Sequence, residues 1–220
     1  VLALTTSQSL SKVDQWLSKT SIASVMSWQT LDQISEDQSP EWRRPDLDAQ
    51  TLAYLQYTSG STAAAKGVMV SHGNVIDHSR DIAQFLEHTN ESCTVSWLPH
   101  FHDMGLVYGI IQPLYGGLPG VLMSPVSFIQ RPIRWLKLIS DYRATCSGGP
   151  DFAYRLCASR ATPEQREGLD LSSWQVAFNG AEPVRRETME RFAQVFQPAG
   201  FDLGVFYPTY GLAEATLMAT

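Results

Sequence analysis

A chain of 220 residues with 44% hydrophobic and 17% charged residues has enough apolar surface for a packed core, which excludes a disordered chain. Its formal net charge is −6 and it has no basic stripe, so nucleic acid is not an expected partner. No stretch approaches the roughly 18 consecutive apolar residues of a membrane span, and none is expected.

The opening Val1-Leu2-Ala3-Leu4 lacks the charged start and long apolar run of a signal peptide, and both ends read as cut from something longer. Val1–Thr5 reads as a strand. Ser9–Ser18 reads as a helix with Leu10, Val13 and Leu17 on one face, and Ile22–Met26 as a short strand. Residues 31–50 are polar, carry Pro40 and Pro45, and read as a surface connection. Leu52–Tyr57 is a strand entering a loop over Thr58–Gly67. Ser71 then caps a helix to about Leu86, with Ile82, Phe85 and Leu86 facing inward.

Cys93–Leu98 reads as a strand running into Pro99-His100-Phe101-His102-Asp103, followed by a helix over Gly105–Leu114 and a strand over Gly120–Met123. Pro132–Ser140 is a helix with Ile133, Leu136 and Ile139 aligned. Ala144–Ser147 is a strand ending at Gly148-Gly149-Pro150, and Asp151–Ser159 a helix. Trp174–Phe178 is a strand ending at Asn179-Gly180-Ala181-Glu182. Val184–Phe196 is a helix with Met189, Phe192 and Val195 or Phe196 inward, and Leu203–Tyr207 a strand ending at Pro208-Thr209-Tyr210-Gly211. This alternation predicts an α/β fold with a mainly parallel sheet and flanking helices. Ligands of such sheets gather beyond the carboxyl ends of the strands, and every polar cluster above follows a strand. Cys93, Cys146 and Cys157 are far apart with no C-x-x-C pair, which predicts free thiols and a reduced, cytoplasmic setting.

Five clusters carry possible chemistry, each with a plainer alternative. Thr58–Gly67 has hydroxyls and backbone N–H groups suited to phosphate oxygens and one cation, Lys66; equally, it is a surface turn. It is not a Walker A loop, because Lys66 precedes Gly67 instead of following it. His100 and His102 place two imidazoles at a strand end, where lining a pocket is favoured over a zinc site that lacks a third ligand. Gly148-Gly149-Pro150, with Phe152 and Tyr154 beyond it, permits close backbone approach to a ligand or is an ordinary turn. Glu182 and Glu214 follow strand-end turns; a carboxylate there can hold Mg²⁺ or simply face solvent. No G-x-S-x-G elbow is present.

Taken in order, these segments resemble the adenylate-forming superfamily: Tyr57-Thr58-Ser59-Gly60-Ser61-Thr62, Lys66-Gly67-Val68, Asn179-Gly180-Ala181-Glu182-Pro183 and Tyr210-Gly211-Leu212-Ala213-Glu214. Leu55-Gln56-Tyr57, Leu98-Pro99 leading to His102-Asp103-Met104-Gly105-Leu106, and Glu214-Ala215-Thr216-Leu217 are similar to its fatty acyl-AMP ligase branch. The resemblance implies a layered αβαβα-type N-terminal domain, of which residues 1–220 are the central part. It implies ATP and Mg²⁺, a fatty acid substrate, and an acyl carrier protein whose phosphopantetheine thiol takes the acyl group, often for a polyketide or nonribosomal pathway. An acyl-CoA ligase, another carrier-loading adenylation domain and a non-catalytic nucleotide-binding relative stay open beside it.

By the same resemblance, Thr58, Ser59, Gly60, Ser61 and Thr62 embrace the β- and γ-phosphates, and Lys66 adds charge. Gly180, Ala181 and Glu182 line the adenine and ribose pocket, with Tyr210 stacked on adenine beside Gly211. Glu214 binds Mg²⁺. His102 and Asp103 lie near the acyl carboxylate and α-phosphate. Gly149 and Phe152 contact substrate, and Phe152 and Tyr154 wall the acyl tunnel or fill the core. The family has a glycine, a variable residue and a proline where this chain has Ala63-Ala64-Ala65; a left-handed alanine there would cost roughly 1–2 kcal/mol. Without the family's downstream segments, residues 1–220 alone are expected to be inactive.

Overall fold

The structure, a computed structural model, describes residues 2–11, 26–35, 42–58 and 66–220. The chain divides into two compact units, Val1–Asp46 and Leu47–Thr220.

In the first unit, β1 (Leu2–Thr5) pairs in parallel with β2 (Ser27–Thr30). Residues 7–11 are helical, and the Ser7 N–H donates to Asp32 Oδ1 at 2.8 Å. The Ser7 hydroxyl and N–H hold the Asp32 carboxyl below its ordinary pKa. The remainder of the expected helix to Ser18 lies outside the described residues, as do positions 22–25 of the expected strand; β2 begins one residue after Met26.

The second unit opens with a hairpin. β3 (Leu52–Thr58) runs antiparallel to β4 (Lys66–Ser71), from Tyr54 opposite Val70 to Thr58 opposite Lys66. The expected loop to Gly67 is therefore shorter than the sequence reading had it. Val68, Met69 and Val70 favour a strand, and Val70 is buried. Helix α1 (His72–Phe85) starts as expected: Ser71 Oγ accepts the Asn74 N–H at 3.2 Å, and Asn74 Oδ1 accepts the Ser71 N–H at 3.0 Å. Ile82 and Leu86 are buried one turn apart, but Phe85 is 52% exposed, which corrects its inward placement. It sits about 100° around the helix from Leu86, at the edge of the apolar stripe.

A five-stranded sheet follows, with β5 (Thr94–Ser96), β6 (Gly120–Leu122), β7 (Cys146–Gly149), β8 (Val176–Asn179) and β9 (Phe206–Pro208) in the order β6-β5-β7-β8-β9. All of its pairings are parallel. The ladder of β5 stops at Ser96, ahead of Pro99, and Leu203–Val205 is a 3₁₀ turn where strand was expected.

Helices cover both faces. A π-helical stretch, Met104–Ile111, closes with the Gln112 N–H bonded to Val107 O and continues as α2 (Gln112–Gly116). The others are α3 (Pro125–Gln130), which the sequence reading missed, α4 (Ile133–Asp141), α5 (Asp151–Arg160), α6 (Pro163–Arg166) and α7 (Arg186–Phe196). Strand alternation divides the core. Along β8, Val176 and Phe178 pack with Ile82, Leu86 and Tyr108 on one face, while Ala177 packs with Trp135, Tyr154 and Phe192 on the other. Buried polar tips are tied to the strands: Trp135 Nε1 donates to Ser147 Oγ at 2.8 Å, and the Tyr154 hydroxyl to Phe178 O at 2.7 Å. Tyr154 is thus a core residue, the second of the two roles open to it.

The π-helical stretch starts against the loop that precedes it. A Cβ on Gly105 would lie 2.0 Å from Pro99 O and 2.5 Å from its carbonyl carbon, both backbone atoms. Gly105→Ala is expected to cost about 1–3 kcal/mol of stability, read as a lowered thermal midpoint of the full-length protein. An unchanged midpoint would show that the loop yields freely.

Candidate active site

The connection after β5 leads to β6 on one side and the connection after β7 leads to β8 on the other, so the strand order reverses between β5 and β7. A sheet of this order opens a crevice beyond the carboxyl ends at that point. The segments that leave β5, β8 and β9 converge around a cavity of about 180 Å³. Its rim is accessible and carries the polar side chains of His102, Asp103, Thr209 and Tyr210, with Ala181 and Gly211 between them. Its interior is apolar and buried: Ile82, Leu86, Met104, Tyr108, Phe178 and Leu217. A polar mouth on an apolar hollow suits an amphiphile with a charged head.

His102 and Asp103 act as a pair. Nδ1 of His102 lies 2.6 Å from Asp103 Oδ1, which also accepts the Met104 N–H at 2.7 Å. With Nδ1 engaged, Nε2 is the nitrogen left for a ligand. The hydrogen bond to Asp103 raises the imidazole's pKa above its usual 6.5, against burial, which lowers it. The hairpin lies close by: Gln56 Nε2 donates to Phe101 O at 3.4 Å, and the Asp103 charge adds to burial in raising the Tyr54 pKa.

The loops after β7, β8 and β9 are held together. Asp151, 2% exposed, sits at the first turn of α5. It accepts the Arg185 N–H at 3.0 Å, the Thr188 hydroxyl at 2.8 Å and Asn179 Nδ2 at 3.4 Å. Glu182 accepts the Phe152 N–H at 2.6 Å. The Thr209 N–H donates to Asn179 O at 2.8 Å, and a Cβ on Gly180 would lie 2.4 Å from Thr209 Oγ1, so only glycine allows this approach. Ala181 follows with a left-handed φ of 65°, a strained setting at the rim. On the opposite wall, Met218 donates its N–H to His78 Nε2 at 3.0 Å, which seats Leu217 and Met218 against α1.

The expected site residues therefore separate. His102, Asp103, Ala181, Tyr210 and Gly211 meet at the cavity, and Gly180 supports them from the adjoining turn. Thr58 and Lys66 face each other at the base of a loop whose Ser59, Gly60, Ser61 and Thr62, with Ala63-Ala64-Ala65, lie outside the described residues. Glu182 is engaged with α5 and does not line the cavity. Gly149 and Phe152 also lie off it: Trp97 fills the space beside Gly149, and Phe152 packs against Trp97 and Phe128. Glu214 is exposed on the 3₁₀ turn Ala213–Ala215. No group of three or more His, Cys, Asp or Glu side chains that would hold a metal occurs among the described residues. The sequence reading did not single out Tyr108, Phe178 and Thr209 as lining residues; only the fold brings them to one place.

The sequence pattern of the AMP-binding enzymes matches residues 2–220. The chain belongs to the AMP-binding enzyme family. Within this family it is 55% identical, over 88% of its length, to a medium-chain-fatty-acid–[acyl-carrier-protein] ligase of Moorena producens. It is 40% identical, over 99% of its length, to a long-chain-fatty-acid–AMP ligase of Mycobacterium tuberculosis. Among solved structures, it matches all along its length a fatty acyl-adenylate ligase from L. pneumophila in complex with acyl adenylate and pyrophosphate, with a TM-score of 0.93 and 46% identity. The chain covers 33% and 38% of the two ligases and 38% of the solved chain. The α/β fold expected from the alternation is thus that of the N-terminal domain of this family's adenylate-forming enzymes.

Proposed function

We propose that residues 1–220 are the central part of the N-terminal domain of a fatty acyl-AMP ligase. The observation that carries this is the cavity: a buried apolar hollow whose rim holds the His102–Asp103 pair, Ala181 and Tyr210. A fatty acid enters tail first and leaves its carboxylate at the rim. A carboxylate oxygen attacks the α-phosphorus of ATP, the bond to the bridging oxygen breaks, and pyrophosphate departs. The phosphopantetheine thiol of an acyl carrier protein then attacks the acyl carbon, forms the thioester and releases AMP.

Each group has a physical task. Protonated His102 and the N–H groups near it offset the charge that builds between carboxylate and α-phosphate. Tyr210, exposed at the rim, offers its ring to adenine, and Gly180 and Ala181 bring backbone alongside the base. Thr58, Ser59, Gly60, Ser61, Thr62 and Lys66 hold the β- and γ-phosphates. Magnesium is commonly held by one or two carboxylates plus substrate phosphates and water, so a lone exposed Glu214 fits as its protein ligand. When bound, the ion supplies charge neutralisation on the phosphates. Three free thiols, two of them buried, accord with a cytoplasmic setting. None of the described helices is long and apolar enough to cross a membrane.

The test is a product assay on the full-length enzyme with ATP, a fatty acid panel, coenzyme A and a carrier protein, read by mass. Acyl-adenylate and acylated carrier protein are the expected products. Acyl-CoA as the dominant product, or ATP binding without turnover, would overturn the reading.

A further inference from the structure

Tyr108 lines the buried interior of the cavity. It is buried on the π-helical stretch and meets Phe178 edge to face, with ring centroids 4.4 Å apart. Around it lies a polar group of a different kind. The Tyr108 hydroxyl is buried without a hydrogen-bond partner among the described residues, and the His88 ring stands 6.4 Å from the tyrosine ring. His88 Nδ1 is 3.4 Å from Gln112 Nε2, while His88 Nε2 and Gln112 Oε1 are buried without hydrogen-bond partners among the described residues. The tyrosine therefore lines an apolar hollow and stands beside buried polar groups that no alkyl chain can satisfy.

We infer that Tyr108 is the stop that sets the length of the acyl chain. This rests on the acyl-adenylate reading above. A dry cavity of about 150 Å³ admits a six-carbon ring. By the same measure, about 180 Å³, rim included, takes an acyl segment of at most roughly seven carbons. A longer chain must either displace the Tyr108 ring or leave methylenes in water. Each methylene so excluded forgoes about a fourfold gain in affinity. The preference is therefore steep and lies with that buried side chain, not with the polar rim.

The experiment uses the full-length enzyme and saturated acids from butanoic to hexadecanoic, with acyl-adenylate followed by mass and kcat/KM taken for each acid. The wild type is expected to be best between hexanoic and nonanoic acids. Tyr108→Ala moves the optimum longer by about three carbons, and raises the ratio of kcat/KM for dodecanoic over hexanoic acid about 50-fold. Tyr108→Leu moves it in the same direction by less, and carries the test if the alanine variant does not fold. Ile82→Phe, which fills the hollow from α1, moves the optimum shorter. Acyl-adenylate formed by folded Tyr108 variants with an unchanged length profile overturns the inference and leaves the enzyme reading standing. A wild type that adenylates no acid in the panel overturns the enzyme reading, and the inference with it.

Discussion

His102→Ala in the full-length enzyme is expected to lower the rate of acyl-adenylate formation by about 10²–10³-fold, the usual effect of removing one preorganised donor at a developing charge. The structure shows why the group is preorganised. Asp103 holds Nδ1 at 2.6 Å, fixes the ring plane at the cavity rim and favours the charged form. Because the folded pKa is raised, the His102–Asp103 contribution to stability is fully present below the ordinary value of 6.5, and is lost as pH rises through the higher folded value. Catalysis that uses the imidazolium has the same sign. The wild-type kcat/KM should fall as pH climbs through that value, and His102→Gln should lack this limb. Asp103→Asn should keep the limb but move it to lower pH. A pH profile with the same limb in wild type and His102→Gln would remove His102 from the chemistry.

Asp151→Ala should destabilise the protein by about 3–5 kcal/mol, the cost of removing two good charge-assisted hydrogen bonds from a buried carboxylate. Asp151 stands at the first turn of α5 and accepts from Arg185 and Thr188 at the start of α7, so two helix N-termini point their partial positive charge at it. Asp151→Asn keeps most of the geometry and loses the charge, with an expected cost of about 1–2 kcal/mol. Domains are commonly stable by about 5–15 kcal/mol, so the alanine variant should melt roughly 8–15 °C lower. Function should follow. The loop from Asn179 to Glu182 is tied at its start to Asp151 and at its end to the Phe152 N–H. Loosening it should raise the KM for ATP several-fold. A thermal scan that finds Asp151→Ala within about a degree of wild type would refute this account.

The strand–helix alternation was legible because local signals agreed with the fold. Ser71 announces α1, and Gly148-Gly149-Pro150 ends β7 close to where the sequence placed it. Other local patterns have more than one tertiary outcome, and the sequence alone does not choose between them. Lys66-Gly67-Val68 reads as the end of a ligand loop, yet its backbone pairs with β3. Glycine at position 149 reads as a place for a ligand, yet Trp97 from the neighbouring strand end takes the space. Glu182 reads as a pocket residue, and its carboxylate instead secures the start of α5. The rim could be found because its residues cluster at strand ends. The hollow behind it could not, because Ile82, Tyr108, Phe178 and Leu217 come from four distant segments and look like any core residues in sequence.

The strand order also governs how the molecule must be made. β5 is an interior strand, but both of its neighbours are translated after it, and Val95 meets its partner Ser147 only 52 residues downstream. At about 5–20 residues per second, a ribosome leaves that edge unmatched for roughly 3–10 s. Through that interval the nascent chain exposes Val95 and Trp97, which later become buried, without the strand that covers them. Parallel pairing across such a separation is intrinsically slow. The sheet that presents the candidate site is thus a part of the molecule for which shielding during synthesis should matter.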